Sequence, residues 1–165
     1  MSKAALSPPP GRTPPEQALY EADLYLWTQA QAALLRAGQR QAIDWHHLAE
    51  EIESLGGSQK SEIRNRLAVL LQHLLKWEFQ PQKRKYGWRV SIVEQRLQIE
   101  GLIDVSPSLG SWPEAVLDKA YRLGRVRAAG ETGMAERLFP ATCPYTLAQV
   151  LDEDFYPGPA EPDVA

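Results

Sequence analysis

A helical repeat of apolar residues in the middle of the chain constrains the fold more than any other feature. Its members recur every three or four positions and so share one face of a helix: Ile63, Leu67, Leu70, Leu74 and Trp77. Pro81 cannot continue a helix, so this helix is predicted to end near Gln80. Nowhere do apolar and polar residues alternate between hairpin turns, as they would in strands. The sequence therefore predicts an all-α fold.

Capping residues and glycines divide the chain into five to six predicted helices. Thr13 should cap the first, which Gly38 ends, and Asp44 should begin a short second helix that ends at Gly56 and Gly57. The remaining helices are predicted over residues 58–80, 86–104, 111–129 and 147–152. We expect a single compact helical bundle over residues 14–157 with a short helical C-terminal segment, between disordered tails at 1–13 and 158–165.

Composition restricts the class of protein. The 165 residues are 44% hydrophobic and 24% charged, as in ordinary globular domains. Cys143 is the only cysteine, which excludes an internal disulfide and favours an inert thiol. No apolar run is long enough to cross a membrane, so we expect no membrane association and a cytoplasmic location.

Several short motifs follow one another in a fixed order along the chain. They are Asp44-Trp45, the run from Leu48 to Gly56, Leu74-Leu75-Lys76-Trp77, Gln80-Pro81, Trp88, Glu94-Gln95-Arg96, Ser106 to Leu109, Phe139 to Tyr145 and Asp152 to Pro157. In this order, over roughly residues 18–157, the chain resembles a bacterial family catalogued as a domain of unknown function, number twenty-nine. The resemblance implies a compact helical fold in soluble bacterial proteins, with no established activity.

Two histidine clusters could carry chemistry. His73 lies beside its helix's apolar stripe, where Glu51 or Glu53 from a neighbouring helix could orient it as an acid or base. The alternative is a histidine at the edge of the core with its hydrogen bonds satisfied. His46 and His47 precede Glu50 and Glu51 by one turn, which favours surface ion pairs over a metal site. We predict no metal and no cofactor.

A basic tip lies between the predicted third and fourth helices. It comprises Lys83, Arg84, Lys85, Tyr86 and Arg89, within a stretch from residue 58 to 96 that holds nine Lys and Arg against three Glu. Cations beside a ring could bind nucleic acid. The acidic pI of about 5.7 argues against this function. Trp77 and Trp88 lie on apolar stripes, which favours a hydrophobic closure of the hairpin instead.

The predicted fourth helix is apolar on two faces. Opposite its main stripe stand Val90, Val93 and Leu97. Such a face either binds a partner protein or a second copy, or is buried in the domain under the fifth or the C-terminal helix. Gln95 falls among apolar residues and should need hydrogen-bond partners.

The functional hypotheses that remain differ in class. The leading hypothesis is a non-enzymatic interaction or regulatory protein that binds a partner or itself, by the fourth helix or the acidic second helix. The alternatives are an acid/base or metal-assisted enzyme that uses Glu51, Glu53 and His73, and nucleic-acid binding through the basic tip.

Overall fold

The regular structure of the chain is helical throughout the residues that the computed structural model describes, 19–159. Residues 19–22 are helical, and five further α-helices follow. They are α1 (Leu24–Arg36), α2 (Trp45–Phe79), α3 (Tyr86–Val105), α4 (Trp112–Thr132) and α5 (Leu147–Leu151). Short 3-10 turns connect these helices, and no strand occurs between residues 19 and 159. The predicted all-α fold is confirmed.

Contacts between Cα atoms divide the chain into two compact units, Met1–Gly56 and Gly57–Ala165. In the first unit Trp27, Gln31 and Asp44 are buried. The main-chain amide of Asp44 donates a hydrogen bond to Gln31 Oε1 over 2.9 Å. The single domain over residues 14–157 stays a prediction. The predicted tail at 1–13 lies outside the described residues, as do positions 160–165.

The second unit contains the hydrophobic core. Its members come from the C-terminal half of α2, one face each of α3 and α4, and the C-terminal segment: they include Leu67, Leu70, Leu71, Leu74, Leu75, Trp77, Ile92, Ile99, Val116, Tyr121, Phe139 and Val150. The predicted apolar stripe of residues 63–77 is fully buried, because three other elements cover it.

The predicted break at Gly56 and Gly57 is wrong. Helix α2 runs through both glycines for 35 residues. A glycine ends a helix when it adopts a left-handed conformation, and the described glycines with positive φ are Gly38, Gly133 and Gly158. The apolar residues that were assigned to a separate second helix, Ile52 and Leu55, are exposed at the N-terminal half of α2.

The first predicted helix is also divided. Asp23 leaves the helical conformation at φ −155° and ψ 91°, and its side chain accepts a hydrogen bond from the Leu26 amide over 2.9 Å. Asp23 thus caps α1 within the region where the predicted cap was Thr13, which lies outside the described residues. Gly38 ends this region with φ +69°, as predicted.

Helices α2 and α4 approach each other closely at Gly124. A Cβ atom placed on this residue would lie 2.7 Å from the Ala68 carbonyl oxygen and 3.1 Å from the Gln72 amide nitrogen. Only a residue without a side chain fits between these backbones. Gly124 therefore sets the depth to which α4 packs on α2.

Buried hydroxyl groups attach the segment between α4 and α5 to this core. Tyr121 donates to the Pro140 carbonyl over 2.8 Å, and the buried Tyr145 donates to the Glu78 carboxylate. Burial raises the pKa of Tyr121 to about 12 and also raises that of the half-buried Cys143 thiol. A capping box at Thr146 begins α5, the helix predicted over residues 147–152.

Candidate functional site

Helix α3 presents an apolar face to solvent. Ile92 and Ile99 point into the core, while the side chains on the other side remain 44% exposed at Val90, 41% at Val93 and 61% at Leu97. Of the two alternatives for this face, burial under α4 or α5 is therefore wrong. We call these three residues together with Tyr86 the α3 face.

Two shallow grooves run along the α3 face and share Val93 and Leu97. The first has a volume of about 380 Å³ and reaches Ile103 and Leu151. The second, of about 330 Å³, extends past Val90 to Tyr86 at the start of the helix. The exposed apolar surface is thus continuous over most of the length of α3.

The charges along these grooves differ between the two ends of α3, and Arg96 also lines the first groove. Glu100, Asp104 and Glu153 line the first groove, near the C-terminal end of the helix. Arg89 and Glu94 line the second, near its N-terminal end. The α3 face therefore has an acidic end and an end that carries an arginine.

Arg96 fastens the C-terminal segment beside the α3 face. Its buried guanidinium donates to three main-chain carbonyls, those of Val150 at 3.0 Å, Glu153 at 3.1 Å and Phe155 at 2.7 Å. Burial lowers the pKa of Arg96, and the nearby Tyr156 opposes that shift. The last turn of α5 contains no basic residue of its own, so Arg96 supplies the positive charge that a helix C-terminus favours.

One arginine of the predicted basic tip binds the C-terminal segment instead of facing solvent. Arg84 points inward and donates to the carbonyls of Trp77 at 3.0 Å, Pro159 at 2.8 Å and Pro157 at 3.5 Å. The Arg89 guanidinium lies 5.4 Å from the centre of the Tyr156 ring. Four of the five predicted residues are exposed, and Tyr86 is 83% exposed; the four are Lys83, Lys85, Tyr86 and Arg89.

The rings near this tip are occupied by packing. Trp77 is buried and packs on Tyr156, with 5.1 Å between ring centres. Phe79 packs on Phe139 at 5.2 Å. Trp77 is therefore buried, as its place on the apolar stripe predicted, and its ring partner belongs to the C-terminal segment. Tyr86 remains exposed near the tip.

The predicted catalytic arrangement of Glu51, Glu53 and His73 is wrong in its premise. All three residues lie on α2, and His73 is 22 positions beyond Glu51, whereas the prediction required two neighbouring helices. The His73 Nδ1–H donates to the Val69 carbonyl over 2.8 Å, and burial lowers the pKa of the ring. His73 is thus a half-buried residue at the edge of the core.

One turn beyond His73, the buried Lys76 pairs with Glu131, whose side chain is 54% exposed. Lys76 Nζ is 2.5 Å from Glu131 Oε2 and 4.5 Å from the centre of the Trp88 ring. The hydrogen bond from Lys76 holds the pKa of Glu131 below its ordinary value. Lys76 lies on α2 and Glu131 on α4, so this ion pair joins the two helices.

Three carboxylates of the first unit, those of Asp44, Glu50 and Glu51, have a partner within that unit. Glu51 accepts a hydrogen bond from the Tyr20 hydroxyl over 2.7 Å, and Glu53 is exposed. His46 Nε2 lies 3.0 Å from Glu50 on the surface, the ion pair that the sequence favoured. His47 Nδ1 lies 2.5 Å from Asp44 Oδ2. No group of three potential metal ligands occurs among residues 19–159.

Gln95 and Arg66 form a polar contact between α2 and α3. Arg66 Nη1 donates to Gln95 Oε1 over 3.5 Å, and Arg66 Nη2 lies 2.6 Å from Glu62. Gln95 thus obtains the hydrogen-bond partner that its apolar surroundings were predicted to require.

Comparisons with known proteins give one match. The chain matches the family described as "Domain of unknown function DUF29" over residues 19–156. None of the curated proteins and none of the solved structures matches it. Within the described part of the chain, no helix is long and apolar enough to cross a membrane.

Proposed function

We propose that this chain, which belongs to the family described as "Domain of unknown function DUF29" over residues 19–156, acts as a non-enzymatic cytoplasmic protein-interaction module that binds through the α3 face. The single observation that supports this function is the exposure of Val90, Val93 and Leu97 on a well-packed helix. Exposing a continuous apolar surface to water costs free energy, and such surfaces in folded domains are typically binding sites.

The shape of the surface favours a helical partner. The exposed side chains recur at helical spacing, and the two grooves beside them follow the axis of α3. An amphipathic helix fits such a surface by placing side chains of the same spacing between those of α3. The charged ends of the α3 face would then set the orientation of the partner.

Site-specific photo-crosslinking tests this function. A photoreactive benzoylphenylalanine replaces Leu97 in cells that produce the chain at its ordinary level, and the control carries the same group at Val126, an exposed residue of α4. We expect a discrete adduct from position 97, which mass spectrometry identifies, and none from position 126. The adduct should disappear when Val93→Glu is added.

The absence of an adduct from position 97, or equal adducts from both positions, would refute the proposed function. Circular dichroism of each variant should match that of the unmodified chain, because all three positions are exposed. A variant that loses its helical signal instead shows that the α3 face is part of the core.

A further inference from the structure

We propose that the partner of the α3 face is the same face of a second copy of this chain, with the two α3 helices antiparallel about a two-fold axis. This inference rests on the proposed function and names the partner. It follows from the spacing of the exposed residues, from the distribution of charge along α3 and from the relation of those charges to the helix dipole.

The exposed stripe of α3 has a symmetric spacing. It consists of Tyr86, Val90, Val93, Leu97, Glu100 and Asp104, which are all exposed and are separated by steps of four, three, four, three and four residues. At about 100° per residue these six side chains fall within an arc of about 80°. The same steps are obtained when the stripe is followed from its other end.

A second copy in the opposite direction therefore meets each position of the stripe with another position of the stripe. Val93 faces Leu97 of the second copy, and Val90 faces Glu100. Tyr86 faces Asp104, whose carboxylate can accept a hydrogen bond from the phenol. The contact is isologous, since each of these pairs occurs twice, and its centre is apolar.

The charged residues at the two ends of α3 are complementary to those of a second copy in the same antiparallel orientation. Lys85 is the N-cap residue of α3, and Arg89 lies one turn later; Glu100 and Asp104 lie in the last two turns. The antiparallel arrangement brings Arg89 close to Glu100 of the second copy at both ends. A parallel arrangement would instead place like charges together, which costs free energy.

The dipole of α3 also favours this partner. A helix favours acidic residues in its first turn and basic residues in its last, and α3 has neither. Its Lys85 and Asp104 stand at the unfavourable ends of their own helix. An antiparallel second copy brings an opposite charge to each end and so removes both unfavourable interactions.

The mass of the chain in solution gives the first test. Sedimentation equilibrium from micromolar to millimolar chain concentrations should show a reversible rise from the chain mass of 18.5 kDa to twice that value. Leu97→Glu should weaken the association at least about tenfold, because two carboxylates would enter the apolar centre. Val126→Glu, on the exposed surface of α4, serves as the control and should change nothing.

Charge reversal tests the antiparallel arrangement. Arg89→Glu and Glu100→Arg should each weaken association about tenfold, because each places like charges together at both ends. The double variant restores opposite charges and should associate about as tightly as the unmodified chain. The two positions are 11 residues apart on one helix, so this recovery requires a second copy.

The outcomes separate the two proposals. A chain that stays monomeric to millimolar concentration, or a double variant that associates no better than either single variant, overturns the antiparallel dimer. If position 97 then crosslinks to a different protein, the proposed function stands with another partner. If it crosslinks to nothing, both proposals fail.

Discussion

Replacing Gly124 by alanine should destabilise the second unit, although alanine favours a helix. The gain in helix propensity is about 1 kcal/mol. Against it, the new methyl would lie 2.7 Å from the Ala68 carbonyl oxygen and 3.2 Å from Leu71 Cβ. The first of these atoms belongs to the backbone of α2 and cannot rotate aside, so the helices must separate. Overpacking of this kind costs about 3 kcal/mol, which leaves a net destabilisation of about 2 kcal/mol.

Gly130 on the same helix provides the matched control. A Cβ atom at this position has no atom within 4 Å, so Gly130→Ala should stabilise the chain by about 0.5–1 kcal/mol. Urea denaturation, followed by circular dichroism at one chain concentration, gives both free energies of unfolding. The two variants should differ by about 3 kcal/mol. If Gly124→Ala proves as stable as Gly130→Ala, the close approach of α2 and α4 does not limit the packing.

Two further predictions concern charged residues near the α3 face and at the edge of the core. Arg96→Met should lower the free energy of unfolding, measured by urea denaturation, by about 3 kcal/mol, because three carbonyls lose a charged donor. It should also speed amide hydrogen exchange in residues 147–155. Arg89→Met is its control when both variants are measured at a concentration at which the chain is monomeric, because Arg89 lies at the same 5.4 Å from the Tyr156 ring. An equal cost would contradict the role given to Arg96. Burial lowers the pKa of His73 below its ordinary 6.5, so as the pH falls the unfolded chain binds this proton first. The contribution of His73 to the free energy of unfolding should therefore be fully present above pH 6.5 and decline below it. When free energies of unfolding are compared between about pH 7.5 and about pH 5, the decline should be smaller in His73→Gln. An equal decline in the variant would show that other groups cause it.

Helical phase was sufficient to predict the all-α fold and the position of a second apolar side on α3, but it left open whether that side is covered. The spacing of Val90, Val93 and Leu97 placed them opposite the buried stripe, and the structure leaves them exposed. The spacing did not predict that α2 passes through Gly56 and Gly57. A glycine pair costs about 2 kcal/mol in a helix, and the hydrogen bonds of a long helix on both sides are able to offset that cost.

The roles of Arg84 and Arg96 could not be predicted from the sequence. Their acceptors in the C-terminal segment are main-chain carbonyls between 54 and 75 residues away. Every residue has such a carbonyl, so no residue type marks the acceptor. The same limit explains why Arg84 was assigned to a basic tip: its charge is visible in the sequence, but its direction depends on where the chain returns.

The way in which these arginines bind has a consequence for how the surface can vary. Arg96 and Arg84 hold the C-terminal segment by its backbone, so these hydrogen bonds do not depend on which side chains the segment carries. Asp152, Glu153 and Asp154 are exposed, and Glu153 lines the first groove. Substitutions there can change the charge beside the α3 face without loosening the segment. The charge beside the α3 face of this chain can therefore change while its scaffold stays the same.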